Sequence, residues 1–423
     1  MNVRVAGSIH SVTVALIVFF RCIIQSNMKD FGLFVTILIL APLCLASTHL
    51  TRTVKREVKK VSCGNITHHV IHETATSTSN KNDVIHYVWC AINRPTILIK
   101  HVFNKTTLKV NNQSICDQKG LAFEFTPDNS GISGLILTKV FSYEDPDGTV
   151  NFNTDNIKYE VADNYRWEYI NDKAEDSAIF NGTTRHYPAG GNIMFKVQAH
   201  TKTTNADEWP HNPVNANLTE FTLGLNKLPG ISGVVHSRYA VEVVVFRTGG
   251  SRSVSYDTKE YLDDEYTPGI FNIWSADLQS GGDKSYATWK PVAYDKPERS
   301  RKNQIFARNH GSSDKLDKSG SFQPYAGNIT WSIVKGLPDV RFFGVNVTFG
   351  SSKDDVYKGN KSVITWVGMV GSGKPPCDTY SDTTLAIIIS GLGAPGIVIL
   401  IAIFVLLIRR VRLSRRSKYS QIN

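Results

Sequence analysis

The most frequent pattern along the chain is a short run of β-branched and aromatic residues bounded by Gly, Pro, Asn or Asp. Such runs are typical of β-strands, and no long stretch shows the 3.6-residue periodicity of an amphipathic helix. The pattern predicts an all-β, sandwich-like body of antiparallel strands. The predicted strands are Val84–Ile92, Thr96–Phe103, Gly134–Phe141, Asn192–Thr203, Leu218–Leu225, Val234–Phe246, Val340–Phe349 and Ser362–Val370.

The body is longer than one ordinary sandwich, which predicts two β modules, over residues 47–210 and 211–383. Their junction is expected in the polar, proline-containing stretch Thr203–Asn217. A second polar stretch, Lys296–Ser321, is long enough for a flexible excursion. The last part of the body, Gly371–Thr383, is expected to form a short stalk.

An uninterrupted apolar run follows the body and predicts a single transmembrane helix over residues 384–408. Leu385–Ile408 contains no charged residue, and as a helix it would extend about 36 Å, enough to cross a hydrocarbon core of about 30 Å. Residues 409–423 then carry basic but no acidic side chains. The positive-inside rule therefore places this tail in the cytosol and the body on the other side of the membrane.

The N-terminal region, residues 1–46, predicts a secretory signal. Met28-Lys29-Asp30 is followed by an apolar run and by small residues before Ser47. Either translation starts at Met28 or the signal is unusually long. The alternative is a second transmembrane helix, which the short run and the missing basic flank disfavour.

The formal net charge of +10 is unevenly distributed. The tail from Arg409 onward accounts for +6 and residues 1–46 for +2, which leaves +2 for the body. A nearly neutral body lacks the basic face of a nucleic-acid-binding protein. The cations of the tail instead favour contact with membrane lipid.

The cysteines and the glycosylation sequons fit an oxidising, lumenal compartment. Four cysteines lie in the body, and an even number predicts two disulfides with three connectivities left open. Asn-x-Ser/Thr sequons are spread along the whole body and predict a glycan-covered surface. The cysteines are Cys63, Cys90, Cys116 and Cys377, and the sequon asparagines are Asn65, Asn104, Asn112, Asn181, Asn217, Asn328, Asn346 and Asn360.

Two glycine-rich motifs resemble nucleotide-binding loops, but neither fits its context. Gly391–Gly396 lies within the predicted membrane span, where no pyrophosphate could reach it. Gly368–Lys374 lacks the hydroxyl residue that binds Mg²⁺, because Pro375 follows it. We expect no cofactor at either motif.

No motif predicts catalysis or metal binding. His68, His69, His72 and Glu73 are interpreted as a solvated, pH-sensitive patch, since no His-Glu-x-x-His is present. The acidic segment Asp257–Glu265 could supply a carboxylate pair for glycoside hydrolysis. Clustered acids more often form a solvated loop, and no Gly-x-Ser-x-Gly elbow occurs. The prediction is a protein that is not an enzyme, with a lumenal hydrolase or glycan-binding protein as the alternative.

Two features near the C-terminus predict protein contacts. Ala386, Ser390 and Ala394 form a small-residue stripe along the predicted span, where another helix could pack closely. Tyr419 and Ile422 fit the Tyr-x-x-hydrophobic signal that clathrin adaptors bind. About eleven residues separate this signal from the bilayer, which gives a reach of up to about 35 Å.

Short phrases over nearly the whole mature chain resemble the glycosylated lysosomal membrane proteins. The cysteines of the body do not fall where those of the vertebrate members are expected. No disulfide pattern is therefore transferred from the family to this chain. The phrases are His86–Trp89, Phe195–Ala199, Asp263–Tyr266, Trp289–Tyr294, Thr348–Gly350, Leu392–Gly396 and Gln421–Asn423.

The resemblance implies a type I protein of the lysosomal membrane with its glycosylated body in the lumen. It further implies a non-enzymatic accessory subunit of a multi-pass lysosomal transporter of the major facilitator superfamily. Such a subunit shields its transporter from lysosomal proteolysis and supports its lysosomal localisation. The sequon asparagines would carry glycans, and Tyr419 with Ile422 would form the sorting signal.

Overall fold

The computed structural model describes residues 50–376 apart from several internal segments, and a few residues beyond. The internal segments left out are 118, 129, 148–156, 172–176, 185–190, 229–236, 249–252, 261–271, 281–282, 311–339 and 351–362. Beyond 376 the described residues are 387, 390, 391, 401–410 and 412.

The described part of the body is built almost entirely of β-strands. The helical pieces there are α1 (Asn112–Asp117) and two single 3₁₀ turns, Ala162–Asn164 and Arg301–Asn303. In chain order the strands are β1 (Arg52–Cys63), β2 (Ile66–Ser77), β3 (Val84–Ile92), β4 (Arg94–Val102), β5 (Thr107–Val110), β6 (Phe123–Thr126), β7 (Ile132–Glu144), β8 (Ile157–Val161), β9 (Tyr165–Ile170), β10 (Ser177–Thr184), β11 (Asn192–Ala199), β12 (Thr204–Asn205), β13 (Pro213–Val214), β14 (Leu218–Asn226), β15 (Ser237–Arg247), β16 (Ser253–Glu260), β17 (Asn272–Ser280), β18 (Asp283–Trp289), β19 (Val292–Tyr294), β20 (Gln304–His310), β21 (Arg341–Phe349) and β22 (Val363–Ser372).

Most of these strands form two antiparallel sheets that face each other, whereas β5–β6 and β12–β13 form separate two-stranded sheets. The first sheet has the order β1-β2-β3-β4-β7-β15-β21-β20, and β8 also pairs with β7. The second has the order β9-β10-β11-β14-β22-β18-β17-β16, and β19 also pairs with β22. Strand β20 belongs to both, because its first residues pair with β19 and its last with β21.

The main hydrophobic core, which we call the inner core, fills the space between the sheets. Inward-facing residues of both sheets contribute to it, as expected from the two-residue repeat of a β-strand. Aromatic rings form its centre: Trp289 stacks on Trp274 with centroids 3.9 Å apart and meets Trp366 edge-on at 5.1 Å. Phe221 also meets Trp366 edge-on, with centroids 5.3 Å apart.

A second cluster, which we call the outer cluster, lies on the opposite face of the first sheet. Val70, Val88 and Leu98 point outward there and pack with Phe123 and Phe125 from the β5–β6 hairpin. Every residue of β3 is buried as a result, because both faces of this strand are covered.

The structure confirms the prediction of an all-β body. Each of the eight predicted strands is present, and β3 has the predicted bounds. The expected excursion over Lys296–Ser321 is wrong for residues 304–310, since they form β20, whose backbone pairs with both sheets. Gly371 and Ser372, predicted as part of a stalk, complete β22.

Several strand pairs join the two predicted modules. Strand β11 pairs with β14, and β7 pairs with β15. In each pair the first strand precedes residue 210 and the second follows it. Both predicted segments therefore contribute to the same sheets, and their division into modules stays a prediction.

Residues 401–408 of the predicted span and the next two residues, 409 and 410, are helical. Among the described residues, no helix has the length and apolar character needed to cross a membrane. Most of the predicted span and the whole predicted signal region lie outside those residues.

Candidate functional site

Three of the predicted glycosylation sites are exposed and lie outside the strands. Asn65 lies in the turn between β1 and β2, Asn104 follows β4, and Asn112 begins α1. Gly64, which precedes Asn65 in the turn, has φ +62°, a left-handed conformation that suits glycine in a tight hairpin. Each of these side chains is open to an attached glycan.

Three other sequon asparagines are half-buried in or beside strands. Asn181 accepts a hydrogen bond from Asn192, and Asn217 accepts one from Arg52 Nε at 2.9 Å. Asn346 lies in β21. Two further predicted sites, Asn328 and Asn360, lie outside the described residues.

One of the predicted disulfides is present. Cys63 at the end of β1 is bonded to Cys116 in α1 and thereby ties the segment that follows β4 to the sheet edge. Cys90 contradicts its prediction as a disulfide partner, because its thiol is free and fully buried in β3. Burial raises the pKa of this thiol to about 12. Cys377 lies outside the described residues.

The predicted solvated histidine patch is only partly correct. His68 and His69 are half-buried, but His72 is 7% exposed and Glu73 is fully buried. Because side chains alternate along β2, His72 faces the outer cluster and Glu73 faces the inner core. Glu73 forms an ion pair with Arg56 on β1.

His72 forms a buried pair with a histidine that sequence reasoning had not connected to it. His72 Nε2 lies 2.9 Å from His86 Nδ1, and the two rings are stacked. Burial, with a smaller contribution from Lys59, lowers the pKa of His72 to about 4. Burial, the neighbouring His72 and Lys100 lower the pKa of His86 to about 4. Both rings therefore remain largely neutral in mildly acidic surroundings.

The glycine-rich motif Gly368–Lys374 does not form a phosphate-binding loop. Its first residues lie within β22, where Gly368 and Gly371 allow close packing against aromatic rings. A Cβ on Gly371 would lie 2.4 Å from the hydroxyl of Tyr286, so any side chain would clash. No group of three or more potential metal ligands comes together among the described residues.

The fold brings together a serine, a histidine and an aspartate from distant parts of the chain. His101 Nδ1 lies 2.9 Å from Ser372 Oγ, and His101 Nε2 lies 2.7 Å from Asp83 Oδ1. Burial alone would raise the pKa of Asp83, but hydrogen bonds from His101 and Arg52 outweigh it and lower that pKa. Serine hydrolases use the same three residue types.

The backbone amides of Ser372 and Gly373 are already engaged in hydrogen bonds. The amide of Ser372 donates to the carbonyl of Asn217 at 2.9 Å, and that of Gly373 donates to the carbonyl of Lys284 at 2.8 Å. An oxyanion hole requires donors that are free to meet the substrate. The three side chains are therefore best described as a hydrogen-bond chain that links the two sheets.

A polar cleft lies on the outer face of the second sheet. Its cavity of about 270 Å³ is lined by residues of β11 and β14, by the 200–208 segment and by Arg299. Glu220 in this cleft is 9% exposed, and burial raises its pKa to about 7. Arg299 forms an ion pair with Glu208, and burial lowers the pKa of Arg299 to about 10.

Most of the other predicted positions lie outside the described residues. Of the proposed helix-packing stripe, only Ser390 is described, and it is exposed. The remaining positions lie outside the described residues: Ala386, Ala394, the sorting signal Tyr419 and Ile422, the acids Asp263–Glu265, and the side chains of Asp257 and Glu260.

The sequence profile of the glycosylated lysosomal membrane protein family matches residues 72–413. The chain belongs to this family. It is 26% identical over 383 residues to glycosylated lysosomal membrane protein B of Xenopus laevis, covering 84% of this chain and 89% of the relative. The Homo sapiens protein is 26% identical over 380 residues, with coverage of 84% and 86%. The Danio rerio protein is 26% identical over 368 residues, with coverage of 81% and 85%.

Membership in the glycosylated lysosomal membrane protein family confirms the resemblance seen in the sequence. The matched region includes β3 to β22, and with them His86, His101 and Ser372. Cys63 and Asn65 precede it. The family name describes a membrane protein and indicates no catalytic activity.

Proposed function

We propose that this protein is a single-pass type I protein of the lysosomal membrane, with its glycosylated β-sandwich in the lumen. In this proposal it serves as a non-enzymatic accessory subunit of a multi-pass transporter of the major facilitator superfamily. It shields the transporter from lysosomal proteases and supports its lysosomal localisation. The observation that carries the proposal is the family match over most of the chain.

The architecture of the body supports a shielding role. Proteases cleave extended backbone that can leave its neighbours, whereas most of the described backbone here is paired within two sheets over a continuous core. The exposed sequon asparagines Asn65, Asn104 and Asn112 would add glycans around that core. A body of this kind would resist degradation while it covers the lumenal loops of a partner.

Co-purification provides the direct test. The full-length protein, isolated from lysosomal membranes in mild detergent, is expected to retain a multi-pass transporter. Loss of the protein is expected to shorten the half-life of that transporter. A reproducible absence of any multi-pass partner would contradict the proposal.

The predicted stripe offers a specific variant for the same assay. Ala386→Leu with Ala394→Leu should reduce recovery of the transporter, because bulky side chains prevent close helix packing. Ile388→Ala is the matched control within the span, away from the stripe. The double change should leave surface glycosylation unaltered, which verifies that the protein is made and inserted.

The sorting signal is tested separately. Tyr419→Ala should redirect the protein from lysosomes to the cell surface, because the adaptor pocket loses its aromatic side chain. Ser420→Ala lies between the two recognised positions and should leave the distribution unchanged. Lysosomal delivery of the Tyr419→Ala protein would exclude this signal.

A lumenal hydrolase is the second candidate, and the Ser372–His101–Asp83 chain is the observation that could favour it. A fluorophosphonate probe labels an activated serine hydroxyl, so it would label Ser372 in a hydrolase. We expect no labelling, because the nearby amides are engaged. Labelling that disappears in Ser372→Ala would support the hydrolase instead.

A further inference from the structure

A cleft between strand ends of the two sheets contains an unusual concentration of positive charge. Its cavity of about 250 Å³ is bounded by β4, β7 and β15 from the first sheet and by β18 and β22 from the second. Arg247, Lys284 and Lys374 line it, and none of its described lining residues is acidic. The side chains around this cavity therefore favour an anion.

The three cations differ in how they are held. Arg247 is 3% exposed, and its Nη1 donates to Ser285 Oγ at 2.7 Å, which fixes the guanidinium at the cavity wall. Lys284 and Lys374 are exposed, and neither lies within 4.0 Å of a carboxylate among the described residues. A rigid guanidinium with two adaptable ammonium groups suits an oxyanion such as a phosphate group.

Local backbone features keep the cavity open. Gly131 lies beside Arg247, and a Cβ there would lie 3.2 Å from Arg247 Nη2 and 2.8 Å from the carbonyl of Thr248. Any larger residue would displace the guanidinium or the backbone. The hydrogen bonds of His101 to Ser372 and Asp83 hold the opposite wall together.

The rim favours a small ligand over a protein partner. Phe103, 60% exposed, stands at the mouth of the cleft, and the exposed sequon residue Asn104 follows it. A glycan on Asn104 would obstruct a large partner but would leave a cavity of this size open to a small anion. The exposed aromatic ring would also suit the acyl or glycerol part of a phospholipid.

We propose that this cleft binds a phosphate group, carried either by the head group of an anionic phospholipid or by a soluble phosphate. Arg247, Lys284 and Lys374 supply the charge, and the apolar rim at Phe103 accommodates the uncharged part of a lipid. The inference goes beyond the transporter proposal and does not depend on it.

Calorimetric titration of the full-length protein in an uncharged detergent tests this site. The probes are inorganic phosphate, dihexanoylphosphatidylglycerol and zwitterionic dihexanoylphosphatidylcholine, at constant ionic strength. Binding of at least one anionic probe is expected. Lys284→Gln with Lys374→Gln should weaken it roughly tenfold or more.

The control variant, Lys55→Gln with Lys302→Gln, removes the same charge from two exposed lysines outside the cleft and should bind like the wild type. Tighter binding of the anionic lipid than of inorganic phosphate assigns the site to a head group, and equal binding assigns it to a soluble phosphate. Absence of binding, equal losses in both double variants, or equal binding of the zwitterionic lipid would overturn the proposal. Because both lysines are exposed, a thermal unfolding curve like that of the wild type is expected for each variant and excludes misfolding as the cause.

Discussion

The inner core and the outer cluster occupy opposite faces of the same sheet but differ in chemistry. The inner core is dominated by large rings such as Trp289 and Trp366, both fully buried. The outer cluster borders the histidine pair His72 and His86 and includes the disulfide partners Cys63 and Cys116 at its edge. We infer that the inner core provides most of the stability, whereas the outer cluster makes it depend on pH and redox conditions.

Removing an inner-core ring should have the largest effect. Trp366→Ala eliminates contacts with Trp289, Phe221 and Phe349, and truncating a buried Trp costs about 3 to 5 kcal/mol. Denaturant unfolding of the full-length protein, followed by circular dichroism, measures the loss. Phe306→Ala, at a half-exposed ring, is the control and should change the free energy of unfolding by about 0.5 kcal/mol or less. Equal losses in the two variants would contradict the inference that the inner core provides most of the stability.

Removing the disulfide should have the next largest effect. Cys63→Ser with Cys116→Ser releases a cross-link between residues 53 positions apart, which should cost about 2 to 4 kcal/mol. A reductant should lower the melting temperature of the wild type to that of the variant and leave the variant unchanged. Sensitivity of the variant to reductant would show that another disulfide carries the effect. The buried Cys90 thiol should react with maleimide only after unfolding.

The histidine pair should produce a pH dependence. Both pKa values are lowered from 6.5 to about 4 in the folded protein, so the unfolded chain binds more protons between these values. Stability should therefore fall as the pH falls from about 6.5, and this contribution should level off below about 4.

The variant His72→Gln with His86→Gln tests this assignment. The groups that face the pair, Glu57, Lys59 and Lys100, remain in place. The variant should lose less stability than the wild type between pH 6.5 and 4, with parallel curves above pH 7. Unchanged steepness in that interval would assign the acid sensitivity to other groups.

Substitution of the sequon asparagines should have the smallest effects on stability. The effect should depend on whether the asparagine is exposed or half-buried. Asn104→Gln should remove one glycan, seen as a single step in gel mobility, with little change in unfolding. Asn217→Gln should also cost about 1 to 3 kcal/mol, because the hydrogen bond to the Arg52 guanidinium is disturbed. Enzymatic deglycosylation of the wild type separates the effect of the glycan from that of the side chain. A loss as large after deglycosylation as in Asn217→Gln would assign the effect to the glycan.

Much of the local structure could be predicted because strand formation depends on nearby residues. Val84–Ile92 and Leu218–Leu225 are rich in β-branched or aromatic side chains, and both segments form strands. The strand at residues 304–310 is not evident from the polar stretch Lys296–Ser321 around it, because it depends on pairing with β19 and β21. The surroundings of His86 likewise depend on the β5–β6 hairpin, because its ring meets Phe125 of that hairpin edge-on.

The sequence by itself determined where most strands lie, where glycans can be attached and to which family the chain belongs. These properties reside in short patterns that do not require knowledge of distant neighbours. Only the tertiary structure decided that Cys63 pairs with Cys116, that Cys90 stays free, and that His101 meets Ser372 across 271 positions. Such contacts follow from the order in which strands pair within and between the two sheets, and no local pattern of residues specifies that order.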